Sequence, residues 1–110
     1  MLSIGEFSKL AHISTRMLRH YDRIGLLHPS HVGNENGYRY YEQTQLDTLA
    51  KIETLKGFGF TLAEIAALLP LPQEVLALHI RAQITHTSQA MEKMRKSIRL
   101  MEQAIAQMEG

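Results

Sequence analysis

The sequence contains no cysteine and almost no net charge, since 12 Lys and Arg residues oppose 11 Asp and Glu residues. The lack of cysteine excludes disulfides, thiolate metal sites and iron–sulfur clusters from this chain. The opening MLSIGEFSKL has neither the basic stretch nor the apolar run of a signal peptide. No apolar run approaches the length of a membrane span, so we expect a soluble cytoplasmic protein without a membrane partner.

Patterns typical of an enzyme are also missing. The chain has no pair of carboxylates in a pocket-forming context and no glycine-rich loop that could bind a phosphate, and GFGF at residues 57–60 indicates only a turn. Its 110 residues are enough for one domain but leave little chain for a cleft. We therefore expect neither enzymatic activity nor a bound cofactor or metal.

Two short helices are predicted near the start of the chain. Ser3 and Glu6 have the spacing of a capping box, which places the start of a helix at Ile4. After the interruption AHIS, Ser14 can cap a second helix that ends near Arg23. Two short helices joined by a tight turn form the pattern of a helix-turn-helix motif.

The two faces of the second helix differ in character. Met17, Leu18 and Tyr21 have helical spacing and should form one buried stripe. The basic residues fall mostly outside that stripe, so the outer face of the helix carries a modest positive patch. The members of this patch are Arg16, Arg19, His20 and Arg23.

A turn, a hairpin and a second pair of helices follow. Gly25 can adopt the left-handed conformation that ends a helix. The turn-forming GNENG before the strand-prone YRYY predicts a hairpin between residues 28 and 41. A third helix opens at Thr44, and a second capping box at residues 61–64 starts a fourth, which PLP at residues 70–72 ends.

No glycine or proline interrupts the chain between Gln73 and Gly110, which predicts one long helix. Its apolar residues alternate at spacings of three and four, the pattern of helices that supercoil around each other. Flanking positions are basic early and acidic late, which favours an antiparallel partner, so we expect a homodimer. The alternative is a lone amphipathic helix packed on a missing domain. The residues assigned to dimerisation are Ile80, Ile84, Met91, Met94, Ile98, Met101, Ile105 and Met108.

Three segments, in this order and spacing, resemble the MerR family of bacterial transcription regulators. They are IGEFSKLAHISTRMLRHYDRIGLLHP, GYRYY and LKGFGFTLAEIAALL. The resemblance implies a mainly α fold, with a winged helix-turn-helix DNA-binding domain over residues 1–71. That domain would carry a small β-hairpin wing and a second helix pair. Residues 73–110 would be a dimerisation helix that forms an antiparallel coiled coil.

The same resemblance implies how the protein would act. A homodimer would bind a pseudo-palindromic operator in double-stranded promoter DNA and distort it, and so affect RNA polymerase indirectly through the promoter. In the family, the second helix of the motif enters the major groove while the wings hold the flanking phosphates. The residues that match these roles are Arg16, Arg19 and His20 on the helix, Tyr38 and Arg39 in the first wing, and Lys56 in the second.

Several alternatives stay open at this point. Arg23 is as well explained by a surface ion pair with the neighbouring Asp22 as by a DNA contact, and either Tyr40 or Tyr41 should pack into the core. The effector-binding domain of many family members is absent from these 110 residues. Other functions compatible with the pattern are an architectural, excisionase-like protein that bends DNA and a coiled-coil adaptor with an incidental basic patch.

Overall fold

Five helices and three short strands make up the computed structural model, which describes all 110 residues. The chain divides into two compact units, Met1–Pro70 and Leu71–Gly110. The second unit contains one helix, α5 (Gln73–Glu109). The elements of the first unit are β1 (Leu2–Ser3), α1 (Ile4–Ala11), α2 (Thr15–Arg23), β2 (His31–Val32), β3 (Arg39–Tyr41), α3 (Gln45–Gly57) and α4 (Leu62–Leu68).

Local capping interactions determine where the first helices begin. The hydroxyl of Ser3 accepts from the backbone N–H of Glu6 at 3.2 Å, and the carboxylate of Glu6 accepts from the N–H of Ser3 at 2.9 Å. This is the predicted capping box. Ser14 caps α2 by accepting from the N–H of Met17 at 3.0 Å. The predicted starts of α1 and α2 are therefore confirmed, as is the capping box that starts α4.

The turns around α2 use left-handed backbone conformations on both sides. His12, which follows α1, has φ 56°, a conformation that is uncommon for a residue with a side chain. Gly25 has φ 75°, as its position after α2 predicts. The N–H of Leu26 then donates to the carbonyl of Tyr21 at 2.8 Å, which satisfies a carbonyl at the end of the helix.

The hairpin is part of a three-stranded antiparallel sheet with β3 in the centre. On one side His31 of β2 pairs with Tyr40, which confirms the predicted hairpin. On the other side Leu2 of β1 pairs with Tyr41. The sequence did not predict β1, because a two-residue strand has no measurable alternation of polar and apolar residues.

Aromatic and aliphatic side chains from the helices and the sheet form the core of the first unit. The rings of Phe7 and Tyr41 stack with their centroids 4.5 Å apart, so Tyr41 is the tyrosine of the YY pair that packs inward. Leu18 and Tyr21 attach α2 to this core and are fully buried. The predicted burial of Met17 is wrong, since 36% of its surface is exposed. At about 100° per residue, Met17 lies at the edge of the buried stripe, beyond Tyr21.

The second unit has a different surface. Ile84, Ile98 and Ile105 of the α5 seam remain 52% to 61% exposed within the chain, and Met108 is 83% exposed. None of the five helices combines the length and the apolar character that crossing a membrane requires. The long uninterrupted helix and the winged helix-turn-helix of the first unit confirm the predicted fold class.

Candidate nucleic-acid interface

The outer face of α2 presents a row of free cationic side chains. Arg16, Arg19 and Arg23 are exposed, and none of them forms an ion pair within the chain. His20 is half-buried beside them. A guanidinium carries a planar set of donors that matches phosphate oxygens or the edge of a guanine. This face is therefore chemically suited to a polyanion or to base edges.

A shallow groove of about 210 Å³ runs along this face. Ser14, Arg16, Met17, His20 and Arg23 line it. Met17 adds an apolar side chain to a lining that is otherwise polar and cationic. An apolar side chain among donors can contact a thymine methyl group, so the groove combines both kinds of chemistry that a base edge offers.

Arg39 lies in β3 and is attached to α2 by an ion pair. Its Nε donates to Oδ2 of Asp22 at 3.1 Å, and the arginine side chain is 34% exposed. Because this bond uses Nε, the two terminal amino groups keep their donors for another acceptor. Arg39 therefore joins the wing to α2 while its terminal amino groups make no ion pair within the chain.

The other oxygen of the same carboxylate binds a histidine. Nδ1 of His28 donates to Oδ1 of Asp22 at 2.7 Å. The bond from His28 lowers the pKa of Asp22 most, and the bond from Arg39 lowers it further. Partial burial raises it, but the pKa remains below its usual value. The proposed Asp22–Arg23 pair does not form. Consecutive helical residues project about 100° apart, so their side chains do not face each other.

Lys56 lies in the last turn of α3 and is attached to α2 by a buried tyrosine. Its Nζ donates to the hydroxyl of Tyr21 at 3.3 Å, and that hydroxyl donates to Oε1 of Glu53 at 3.2 Å. Nζ also lies 3.6 Å from Oε2 of Glu53. The bond to Tyr21 raises the pKa of Lys56, and burial raises the pKa of Tyr21. Lys56 is therefore a fixed cation at neutral pH.

Tyr38 lies near the tip of the hairpin, where 64% of its surface is exposed. Its backbone N–H donates to the side chain of Asn36 at 2.9 Å, and its carbonyl accepts from Gly33 at 2.8 Å. These two bonds order the hairpin tip while the phenol hydroxyl remains free. The hydroxyl can donate to a phosphate oxygen.

The structure thus distributes the six predicted DNA-contacting residues over three elements of the first unit and the loop beside one of them. Three belong to α2, one to β3, one to the loop that precedes β3, and one to α3. The sequence did not reveal that Tyr21 and Asp22 hold two of these cations. The bonds join residues 35 and 17 positions apart, and no local spacing signals such a contact.

Two family models match the chain and together span residues 2–110. The family model described as MerR HTH family regulatory protein matches residues 2–71, and the one described as MerR, DNA binding matches residues 46–110. The chain is 36% identical over 109 residues to the multidrug-efflux transporter 2 regulator of Bacillus subtilis strain 168, covering 92% of this chain and 40% of that protein. The chain spans less than half the length of the curated relatives that it matches most completely.

Two solved structures are similar in fold as well as in sequence. The N-terminal part of MtaN, the Bacillus subtilis multidrug transporter activator, matches with a TM-score of 0.87 and 28% identity over 96% of this chain and 98% of that one. The second is EcmrR, from a cryo-EM structure of the EcmrR–DNA complex in EcmrR-RPo. It matches with a TM-score of 0.71 and 32% identity over 92% of this chain and 38% of that one. From its motifs, its fold and these similarities, the chain belongs to the MerR family.

Proposed function

We propose that this protein is a DNA-binding transcription regulator that binds a pseudo-palindromic promoter operator as a homodimer and distorts it. The observation that carries the proposal is the row of unpaired arginines on α2, with one fixed cation beside it on β3 and another on α3. The relatives that the chain matches are transcription regulators, and EcmrR is bound to DNA in its structure.

Each element has its own task in this proposal. Within the DNA-binding domain, residues 1–71, α2 enters the major groove, where Arg16, Arg19 and His20 face the DNA. Tyr38 and Arg39 in the first wing and Lys56 in the second contact phosphates on either side. Contacts on both sides of the groove give the protein the leverage to bend the duplex, which costs several kcal/mol.

Dimerisation is the proposed task of residues 73–110. Ile84 and Ile98 are 61% and 54% exposed, so each gains roughly half the value of a full burial, about 1–1.5 kcal/mol, when a partner covers it. The flanking charges change sign along the helix, from Arg81 to Glu109, so a second copy of α5 brings opposite charges together when it runs antiparallel. The seam consists of Ile80, Ile84, Met91, Met94, Ile98, Met101, Ile105 and Met108.

Two-fold symmetry of the dimer requires a two-fold operator, because each recognition helix contacts one half-site. The effect on RNA polymerase then comes through the shape of the promoter, in the cytoplasm of the cell. The protein carries out this task without enzymatic activity.

Retention of genomic DNA tests the proposal. The purified protein is incubated with fragmented DNA from its source genome, and the retained fragments are sequenced. We expect enrichment of one short inverted repeat near promoters, and a log–log slope of affinity against salt of roughly −5 to −9 for 6–10 phosphate contacts. Retention of fragments without a common repeat would favour the architectural alternative. No retention at low salt would contradict DNA binding.

A matched pair of variants assigns the binding to α2. Arg19→Ala should weaken operator binding by roughly tenfold to a hundredfold, because it removes one guanidinium from the groove. Lys93→Ala removes one exposed cation from α5 and should leave the affinity within about twofold. Equal losses in the two variants would contradict the proposed role of α2.

A further inference from the structure

Two consecutive residues of α2 bind the cations of two different elements. Tyr21 accepts from Nζ of Lys56 on α3, and Asp22 accepts from Nε of Arg39 on β3. Consecutive side chains diverge by about 100° around a helix, so adjacent positions can contact different neighbouring elements. The free arginines of the same helix, Arg16, Arg19 and Arg23, lie before and after these two residues in the sequence and are exposed.

We propose that Tyr21 and Asp22 are positioning residues that orient Lys56 and Arg39 for phosphate contact, so that α2 sets the placement of both wing cations. This inference rests on the proposed function, since it concerns how that DNA-binding site is held. Neither Tyr21 nor Asp22 contacts DNA itself in this arrangement.

The Tyr21 bond is suited to fixing a flexible side chain. A lysine ammonium sits on a four-carbon chain with many rotamers, so it needs a rigid partner to hold one position. Tyr21 is fully buried, and its ring cannot move without disturbing the core. Its hydroxyl donates to Glu53 and therefore presents a lone pair to Lys56.

The Asp22 bonds divide the two carboxylate oxygens between two partners. His28 occupies Oδ1, which leaves Oδ2 for Arg39. A guanidinium is planar, so a bond at Nε sets the direction of both terminal amino groups at once. Those terminal groups are the part of Arg39 that can bind a phosphate bidentately. The carboxylate side chain is only 22% exposed, which limits how far it can move.

Coupling between the two wings follows from this arrangement. When α2 shifts in the major groove, both cations shift with it, because each is bound to the helix through one short connection. The residues that recognise bases and the cations that bind phosphates would then move as one rigid unit. A regulator that bends DNA needs such a connection, since force on the phosphates must be transmitted to the element that is seated in the groove.

Double-mutant cycles on the full chain test the inference. Tyr21→Phe and Asp22→Asn are each measured alone and combined with Lys56→Ala and Arg39→Ala, respectively. The probe is a labelled random-sequence duplex, and its anisotropy is followed over a salt series. We expect each single substitution to weaken binding by about threefold to tenfold. We expect no further loss when the corresponding cation has already been removed.

Matched controls separate positioning from a general effect of the substitutions. Tyr41→Phe removes a hydroxyl that has no hydrogen-bond partner, and Asp47→Asn removes an exposed carboxylate from α3. Neither should weaken binding. Arg39→Lys is a second variant for the wing: it keeps the charge but cannot bind Asp22 and present a guanidinium fork together, so it should weaken binding as Asp22→Asn does.

Thermal unfolding of every variant identifies loss of folded protein. NMR of the lysine ammonium groups in the DNA-free chain gives an independent readout, since Lys56 should become more mobile in Tyr21→Phe. The inference for Lys56 would be overturned if Tyr21→Phe weakened DNA binding equally with and without Lys56, or if the NMR signal of Lys56 did not change. The inference for Arg39 would be overturned if Asp22→Asn weakened DNA binding equally with and without Arg39. If the wild-type chain does not bind the duplex at low salt, the proposed function itself fails, which is a different result.

Discussion

The two units of the chain solve the burial of apolar residues in opposite ways. The first unit buries Phe7, Tyr21, Tyr41, Ile52 and Ile65 almost completely and places cations on its surface. The second buries Leu76 and leaves most of its apolar seam exposed. One region has a core of its own, whereas the other leaves an apolar face exposed, which we propose a second copy covers.

The largest effect is expected from a charge placed in the exposed seam. Ile98→Asp puts a carboxylate at a position that two copies of α5 would bury, and burial of an unpaired charge costs several kcal/mol. We expect a monomer by light scattering and a loss of operator affinity of at least about a hundredfold. Leu100→Asp is the matched control: Leu100 is 65% exposed but lies outside the seam. Its variant should remain dimeric, and dissociation of both variants would contradict the assigned seam.

A cavity in the first unit should lower its stability without dissociating the dimer. Ile52 is fully buried, so Ile52→Ala should lower the free energy of unfolding by about 2–4 kcal/mol. Chemical denaturation followed by near-ultraviolet circular dichroism measures this loss through the core tyrosines. Light scattering below the transition should still show a dimer, because the seam of α5 is intact. If the folded Ile52→Ala variant were monomeric, the stability of the first unit and dimerisation through α5 would not be independent.

Lowering the pH should destabilise the first unit specifically, because both hydrogen-bond partners of Asp22 lie within it. The pKa of Asp22 is lowered in the folded state, mainly by His28 and then by Arg39. A lowered pKa contributes stability above the unfolded value of about 3.9 and loses it as pH falls through the folded value. The contribution is below about 1 kcal/mol, since the pair is partly exposed. Urea unfolding at pH 7 and near pH 3 should therefore show a smaller difference in Asp22→Asn than in the wild type, and equal differences would contradict it.

The smallest effect is expected at the one buried side-chain polar atom that has no hydrogen-bond partner. The hydroxyl of Tyr41 makes no hydrogen bond within the core. Tyr41→Phe removes it while keeping the stacking against Phe7, so the first unit should become more stable by about 0.5–1 kcal/mol. Thermal unfolding measures this gain. A clear loss of stability would mean that the hydroxyl has a partner in solution, such as a bound water.

Most of the local structure could be predicted from the sequence. The capping boxes at Ser3 and Thr61, the left-handed turn at Gly25 and the long helix after Pro72 all depend on residues within a few positions of each other. Such features follow from backbone hydrogen bonding and steric preference, which neighbouring residues decide. The seam of α5 is also local, because its period is visible along one helix.

The tertiary structure alone decided which groups hold the candidate site. It pairs β1 with β3 and leaves Met17 at the surface. It also makes Arg39 and His28, and not Arg23, the partners of Asp22. It also connects Lys56 to Tyr21 across 35 positions of the chain. The sequence determined which residues are charged, where helices start and which face is apolar. It could not determine these long-range partners, because they depend on how the helices and the sheet pack together.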